Sequence, residues 1–364
     1  MGFFDAPELN HHEQVVFGYD EVTGLKAIIA VHNTSLGPSL GGCRVWNYES
    51  EDDALRDVLR LSEGMTYKSA LAGLNLGGGK SVILGRVQDI GNEAAFRAFG
   101  RMVDSLGGRY VTAEDVNTTP RMMEWVYEET AYVAGLSPEL GGSGDPSPFT
   151  AWGTFVGIKS AANKLWGSDS LEGKTIAVQG LGHVGMYLVE HLSEAGAKIL
   201  VTDIKEERIK EMMKFKGVEA VAPEAIYDAE MDVFAPCALG SVVNDDTIDR
   251  LKCQVIAGAA NNVLADYDKH GQILMDKGIL YAPDYAINAG GVINVYGEFE
   301  GYNEKRSYDR VNHIYEILQD IWKRSEDEKI PAMDAADILA EERIQKIGRL
   351  KQMRRSGKRL FSKM

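Results

Sequence analysis

Cysteine is scarce in this sequence of 364 residues. The three cysteines, Cys43, Cys237 and Cys253, are an odd number and stand far apart. Such spacing gives neither a disulfide framework nor a zinc-binding pattern, so we predict no metal site. Cys43 and Cys237 lie among glycine and small apolar residues, and we expect both to be buried, unreactive thiols.

Long hydrophobic runs and an excess of positive charge are also missing. No stretch reaches the ~18 apolar residues of a membrane-spanning helix. The first residues lack the basic region and apolar run of a signal peptide, so we expect a cytoplasmic protein with no membrane partner. Lysine and arginine number 39 against 54 aspartate and glutamate, a net charge of −15. Because phosphate binding needs a basic surface, this balance argues against nucleic acid as a partner.

The pattern that is present predicts an α/β protein of two domains. The first 135 residues combine an apolar strand at 26–32, a helix that begins after Ser50 and runs towards Lys68, and a glycine-rich stretch before a strand at 81–84. The stretch GLSPELGGSGDPSPF, at approximately residues 136–150, contains four glycines and three prolines, a composition typical of a linker. Short apolar strands then alternate with helices, which predicts a parallel sheet covered by helices.

A glycine-rich turn in the second half predicts a dinucleotide site. It follows an apolar strand (TIAVQ), opens a helix and has the pattern G-x-G-x-x-G, formed by Gly180, Leu181, Gly182, His183, Val184 and Gly185. In this context the pyrophosphate of a dinucleotide meets the positive end of the helix. Asp203 ends the next strand, where its carboxylate would bind the ribose and repel a 2′-phosphate, which favours NAD over NADP. Two observations leave alternatives open. Lys205 is close to Asp203 and would reduce this preference for NAD, and a strand-to-helix turn can be rich in glycine without binding a ligand.

Two lysines and one carboxylate are the candidates for chemistry in the first half. Lys68 lies in an apolar setting (GMTYKSALA), and Lys80 follows three glycines at the entrance of a strand. A lysine in a partly desolvated site beside another cation has a lowered pKa and can act as a base. Asp115 stands at a strand end. The alternatives are surface lysines and a carboxylate that only caps a loop.

Four segments together resemble the glutamate/leucine/phenylalanine/valine dehydrogenase family. They are GMTYK, GLNLGGGKSVIL, TAEDVNTT and PDYAINAGGVINV, and the resemblance extends from the GGCR at Gly41 to about Arg349. It implies that Lys68 binds the substrate carboxylate, that Lys80 is the base that activates water, and that Asp115 carries a proton to and from the substrate nitrogen.

The same resemblance assigns the remaining site residues. It implies that Gly41, Gly42 and Met65 line the substrate cleft, and that Thr150 and Asn262 contact the nicotinamide end of the cofactor. The expected side-chain pocket is apolar throughout and consists of Leu40, Ala113, Val292 and Val295. Because such a pocket has no partner for a charged group, we expect a branched-chain aliphatic L-amino acid as substrate.

The implied reaction is NAD-dependent oxidative deamination of that amino acid to a 2-oxo acid and ammonia, and its reverse. The implied architecture is a mixed α/β substrate and oligomerisation domain at 1–135, with C-terminal helices from about 330 to 364 folding back on it. A Rossmann-type, doubly wound NAD-binding domain would occupy 150–325, and the family implies a homo-oligomer, an octamer.

Two other functions fit parts of the same pattern. A relative acting on phenylalanine, glutamate or another L-amino acid would share the lysines and the glycine turn, although glutamate would require a cationic group in the pocket. A non-catalytic regulator that senses NAD could share the fold, but it would have no need of Lys68, Lys80 and Asp115 together. Oxidation of an L-amino acid with reduction of NAD distinguishes these functions.

Overall fold

Two β-sheets organise the residues described by the computed structural model, which are 6–9, 11–238 and 240–352. The chain divides into two compact units. The first contains Met1–Asp145, Val295–Tyr302 and Ala340–Met364, and the second contains Pro146–Asn294 and Asn303–Leu339. The domain boundaries expected from sequence stay a prediction, and the basic tail RRSGKRLFSKM lies outside the described residues.

The first unit contains a mixed sheet of five strands in the order β1-β2-β4-β3-β5. β1 and β4 run antiparallel to β2, whereas β3 runs parallel to both β4 and β5. The strands are β1 (Gln14–Asp20), β2 (Leu25–Asn33), β3 (Ser39–Trp46), β4 (Gly77–Leu84) and β5 (Tyr110–Glu114).

Both faces of this sheet are covered by helices. The helices of the unit are α1 (Glu51–Leu71), α2 (Val87–Ile90), α3 (Glu93–Asp104) and α4 (Pro120–Tyr127). Helix α1 begins as predicted, because the Ser50 side chain accepts a hydrogen bond from the Asp53 backbone N–H. Its buried residues Leu55, Val58 and Leu59 pack with Ile28 and Val82 of the sheet. On the other face, α3 and α4 contribute to a larger apolar core.

The second unit contains a parallel sheet of six strands in the order β11-β10-β9-β6-β7-β8. The strands are β6 (Thr175–Gln179), β7 (Lys198–Thr202), β8 (Val218–Ala220), β9 (Val233–Pro236), β10 (Val255–Ile256) and β11 (Leu280–Tyr281). The chain builds the sheet outwards from β6 in one direction and then from β9 in the other. The order therefore reverses between β6 and β9, which is where doubly wound sheets bind their ligands. This arrangement confirms the predicted fold class.

Nine further helices complete the described chain. They are α5 (Ser147–Trp166), α6 (His183–Glu194), α7 (Glu206–Met212), α8 (Tyr267–Asp276), α9 (Asp284–Ile287), α10 (Gly290–Tyr296), α11 (Glu304–Val311), α12 (Ile314–Glu328) and α13 (Ala332–Gln352). Pro331 separates the last two helices, since α12 ends at Glu328 and α13 begins at Ala332. Among the described helices none is long and apolar enough to cross a membrane.

Three expectations from sequence are corrected by the structure. The predicted linker is shorter, because α5 begins at Ser147 with Pro148 in its first turn, where a missing N–H costs no helical hydrogen bond. The glycines before Lys80 belong to strand β4 rather than to a loop, so Lys80 lies inside the strand. Cys43 is buried as expected, whereas Cys237 is only partly buried.

Candidate active site

One face of the first sheet carries several of the candidate substrate and catalytic residues. Leu40 pairs with Gly78 of β4, and Gly42 pairs with Ala113 of β5. Because side chains alternate along a strand, Leu40, Gly42 and Arg44 share this face with Lys80 of β4 and Ala113 of β5. It is the face on which α1 packs. Register therefore brings residues that are 40 to 70 positions apart in the sequence onto one surface.

Lys80 and Asp115 form a direct ion pair on this face. The Lys80 side chain is 6% exposed, and its Nζ lies 2.8 Å from Oδ2 of Asp115. The same carboxylate oxygen accepts a hydrogen bond from Nε of Arg44 at 3.2 Å. Burial alone would raise the pKa of the Asp115 carboxyl, but the two cations outweigh it, so the pKa lies below its ordinary value. Asp115 is therefore a carboxylate at neutral pH.

Gly41 and Gly42 of β3 must be glycines, because β4 and the segment around Asp115 come too close for a side chain. A Cβ on Gly41 would lie 1.6 Å from the carbonyl oxygen of Gly79. On Gly42 it would lie 2.6 Å from Cβ of Asp115 and 2.7 Å from the carbonyl oxygen of Glu114. The two glycines thus allow β4 and the chain around Asp115 to approach the strand, which is a geometric reason for the GG sequence.

Lys68 and Met65 lie in the last two turns of α1 and are both half-buried. The helix lies directly on β4 at this point, since a Cβ on Gly78 would approach the Thr66 backbone nitrogen to 2.2 Å. Thr66 is in turn tied to β2, because its hydroxyl lies 2.8 Å from Nδ1 of His32. The segment that carries Lys68 is therefore fixed against the sheet that carries Lys80.

The glycine turn of the second unit has the geometry that a dinucleotide needs. Gly180 follows β6 with φ +99°, and the third glycine packs tightly, since a Cβ on Gly185 would lie 2.1 Å from the Gly180 carbonyl oxygen. A Cβ on Gly182 would meet no protein atom within 4 Å. The backbone of Gly182 is thus open to a bound pyrophosphate at the start of α6, which begins with His183 and Val184. These residues fit a dinucleotide.

Asp203 follows β7 and is oriented by the same turn. Its Oδ2 accepts a hydrogen bond from the Leu181 backbone N–H at 2.7 Å, and its Oδ1 accepts one from the Lys205 backbone N–H at 2.8 Å. Nη1 of Arg208 lies 3.6 Å from Oδ2. Lys205 thus contacts Asp203 through its backbone N–H. A carboxylate fixed beside the glycine turn is the group that would bind a ribose hydroxyl.

The two residues expected near the nicotinamide both lie in the second unit. Thr150 lies in the first turn of α5, and its hydroxyl bonds to the Pro146 carbonyl oxygen at 3.1 Å. Asn262 has φ +52° and accepts a hydrogen bond from the Tyr267 hydroxyl at 3.1 Å. That hydroxyl also lies 3.1 Å from Oδ2 of the buried Asp284. Sequence reasoning missed Asp284, although it stands inside the quoted segment PDYAINAGGVINV.

The four residues of the expected side-chain pocket are divided between the units. Leu40, Ala113 and Val295 belong to the first unit and Val292 belongs to the second. Leu40 and Val295 are buried, whereas Ala113 and Val292 are half-buried. The pocket they were expected to form together stays a prediction.

Comparisons with known proteins agree with this geometry. Residues 9–132 match the family described as "Glu/Leu/Phe/Val dehydrogenase, dimerisation domain", and residues 141–203 and 200–351 match "Glutamate/Leucine/Phenylalanine/Valine dehydrogenase". A leucine dehydrogenase of Thermoactinomyces intermedius is 54% identical over 95% of this chain and 94% of that protein. A phenylalanine dehydrogenase of Caldalkalibacillus thermarum is 47% identical over 94% of each. The crystal structure of L-tryptophan dehydrogenase from Nostoc punctiforme superposes with a TM-score of 0.84 at 44% identity, covering 93% of this chain and 97% of that one.

The fold and the matches together define an amino-acid dehydrogenase that uses a nicotinamide dinucleotide. More specifically, the chain belongs to the glutamate/leucine/phenylalanine/valine dehydrogenase family. The resemblance noted in the sequence segments is thereby confirmed.

Proposed function

We propose that this enzyme oxidises L-leucine and other branched-chain aliphatic L-amino acids with NAD, releasing ammonia and the 2-oxo acid, and catalyses the reverse reductive amination. The observation that carries the proposal is the ion pair between the buried Lys80 and the half-buried Asp115, with Nζ and Oδ2 2.8 Å apart. The 54% identity to leucine dehydrogenases favours leucine over aromatic substrates, because the phenylalanine dehydrogenase matched is only 47% identical.

The roles of the chain's own residues follow from their placement. Lys68, fixed on α1, would bind the substrate carboxylate. The nicotinamide, when bound, supplies the acceptor for the hydride that leaves the α-carbon. Lys80, in its neutral form, would take a proton from the water that adds to the resulting substrate iminium. Asp115, a carboxylate within reach of Lys80, would receive and return the proton of the substrate nitrogen.

NAD rather than NADP is the proposed cofactor because of Asp203. Its carboxylate is fixed at the end of β7 by the Leu181 and Lys205 backbone N–H groups. A carboxylate at this position accepts a hydrogen bond from a ribose hydroxyl and repels a 2′-phosphate. The glycine turn of Gly180, Gly182 and Gly185 would hold the pyrophosphate.

We further propose a division of labour between the domains. Residues 1–135, with the C-terminal helices that begin at about residue 330, would bind substrate and assemble a homo-octamer, and residues 150–325 would bind NAD. Support for assembly comes from the description "dimerisation domain" for the family matched by residues 9–132. Free thiols at Cys43, Cys237 and Cys253 fit the reducing cytoplasm. Light scattering during size-exclusion chromatography tests the octamer directly.

A panel of L-amino acids with NAD and with NADP tests the proposed reaction. The absorbance of the reduced nicotinamide reports turnover, and ammonia release confirms deamination. We expect leucine, isoleucine and valine to be good substrates with NAD, and glutamate, aspartate and lysine to be poor ones. A wild-type enzyme that prefers phenylalanine would contradict the substrate assignment, and one that oxidises no L-amino acid would contradict the function.

A further inference from the structure

Arg44 is a charged residue of the candidate active-site face to which neither the motifs nor the family resemblance gave a role. It lies on β3, two residues after Gly42, and its side chain is 22% exposed. Its Nε donates to Oδ2 of Asp115 at 3.2 Å. This is the oxygen that also contacts Nζ of Lys80 at 2.8 Å. The Asp115 carboxylate is therefore held between two cations.

The guanidinium of Arg44 is itself held from the opposite side. Its Nη1 donates to Oδ2 of Asp57 on α1 at 3.0 Å. The Tyr48 hydroxyl donates to the same Asp57 oxygen at 2.6 Å. Because a guanidinium is planar and rigid, fixing its Nη1 also fixes the direction in which its Nε donates. The four charged groups Asp57, Arg44, Asp115 and Lys80 thus form a continuous row from α1 to β4.

We propose that Arg44 is a positioning residue that holds the Asp115 carboxylate against Lys80 and keeps it deprotonated. This inference rests on the proposed function, in which Asp115 must accept a proton. The four charged groups of the row sum to zero. Removing Arg44 lowers the net charge of the groups around Asp115 from +1 to zero, and a carboxylate that loses a neighbouring cation is protonated more easily.

Three other titratable groups near Asp115 stay neutral near pH 7. On β3, burial raises the pKa of the Cys43 thiol to about 12. On β5, burial raises the pKa of the Tyr110 hydroxyl well above its ordinary value. Next to α1, burial and the hydrogen bond to Asp57 raise the pKa of the Tyr48 hydroxyl. The two cations that lower the pKa of the Asp115 carboxyl are Lys80 and Arg44, and Asp57 lies beyond Arg44.

The sign of the expected pH effect follows from these charges. The pKa of Asp115 lies below its ordinary value because Lys80 and Arg44 outweigh burial. Replacing Arg44 by a neutral side chain raises that pKa, so Asp115 becomes protonated at a higher pH than in the wild type. The acid limb of the kcat/KM profile, which reports the groups that must be deprotonated in the free enzyme, then moves to higher pH.

Arg44→Gln and Arg44→Lys test the proposal in steady-state kinetics with leucine and NAD over a range of pH. For Arg44→Gln we expect the shifted acid limb and a kcat reduced about tenfold to a hundredfold, with a smaller change in KM for leucine. Arg44→Lys keeps the positive charge but loses the planar guanidinium donor. The acid limb of its kcat/KM profile should therefore lie at the wild-type pH, while kcat recovers only in part. Arg56→Gln is the matched control, because Arg56 lies on α1 and pairs with the peripheral Glu8 and Asp53.

A second variant keeps the test decisive if Arg44→Gln does not fold. Asp57→Asn removes the acceptor that holds Nη1 of Arg44, so kcat should fall. An Asp57→Asn enzyme with the wild-type kcat would overturn the proposal. So would a loss of kcat in Arg44→Gln with an unshifted limb, which indicates a merely structural role.

The two proposals fail differently in this experiment. Wild-type enzyme that oxidises leucine, together with an Arg44→Gln variant of unchanged kcat and profile, leaves the proposed function intact and refutes the role of Arg44. Wild-type enzyme that oxidises no L-amino acid refutes the proposed function, and the role of Arg44 falls with it.

Discussion

Gly42→Ala is the substitution that most directly tests whether the position of Asp115 matters. The added methyl carbon would lie 2.6 Å from Cβ of Asp115 and 2.7 Å from the carbonyl oxygen of Glu114. Carbon atoms in contact normally stand about 3.5–4.0 Å apart. The segment after β5 must therefore move away from β3 by about 1 Å. A displacement of this size in a reacting group costs about a hundredfold in rate, so we expect kcat for leucine to fall by about that factor.

The assay for Gly42→Ala is steady-state oxidation of leucine, with NADH binding measured separately by fluorescence. NADH binding should be retained, because the glycine turn lies in the other unit. Gly64→Ala is the matched control. Gly64 is exposed on α1, where an added Cβ meets nothing within 4 Å, so activity should be unchanged and stability should rise by up to about 1 kcal/mol. A Gly42→Ala enzyme with kcat within about threefold of wild type, against the expected hundredfold, would refute the reasoning.

Four other substitutions test the remaining assignments. Lys80→Ala should lower kcat by ~10²–10⁴-fold with NADH binding intact, as loss of a general base does; turnover close to wild type would exclude Lys80 as the base. Lys68→Ala should chiefly raise KM for leucine and lower kcat somewhat, because a carboxylate anchor acts in ground and transition states alike; an unchanged KM would contradict its role. Asp203→Ala should weaken the preference for NAD over NADP in kcat/KM, and unaltered discrimination would show that Asp203 does not face the ribose. Ala113→Gly should raise kcat/KM for phenylalanine relative to leucine by enlarging the pocket, although ~1–3 kcal/mol is the most that a methylene-sized change contributes; an unchanged ratio would place Ala113 outside the pocket.

The second unit could be predicted closely from the sequence because its elements are short, apolar and separated by breaks. The strand TIAVQ predicted before the glycine turn is β6, with the bounds Thr175–Gln179. Such strands are buried on both faces, so nearly every residue is apolar and the pattern ends where the strand ends. The glycine turn stood out for the same reason, since it interrupts this pattern between β6 and α6.

The first unit could be predicted less well, because its strands depend on packing that no local pattern reveals. Glycine is uncommon inside strands, and the run Gly77, Gly78 and Gly79 was therefore assigned to a loop. The structure places it in β4 because α1, β2 and β3 come too close for side chains. The reason is tertiary: the Cβ of Gly78 would strike the backbone of Thr66 on α1, 12 residues earlier in the sequence.

Arg44 shows why part of the candidate site was out of reach before the strands were paired. It is one of 39 basic residues, and β3 carries so little apolar alternation that no strand was predicted there. Once β3 is paired with β4 and β5, Arg44 necessarily shares a face with Leu40 and Gly42, because residues two apart point to the same side. The register that places Gly42 beside Ala113 then brings Arg44 next to the position that follows β5, where Asp115 stands. Sheet register therefore places Arg44, one of the two cations that keep Asp115 deprotonated, beside that carboxylate. A change that shifted β3 by one residue would turn Arg44 to the opposite face, and Lys80 would be the cation left facing Asp115.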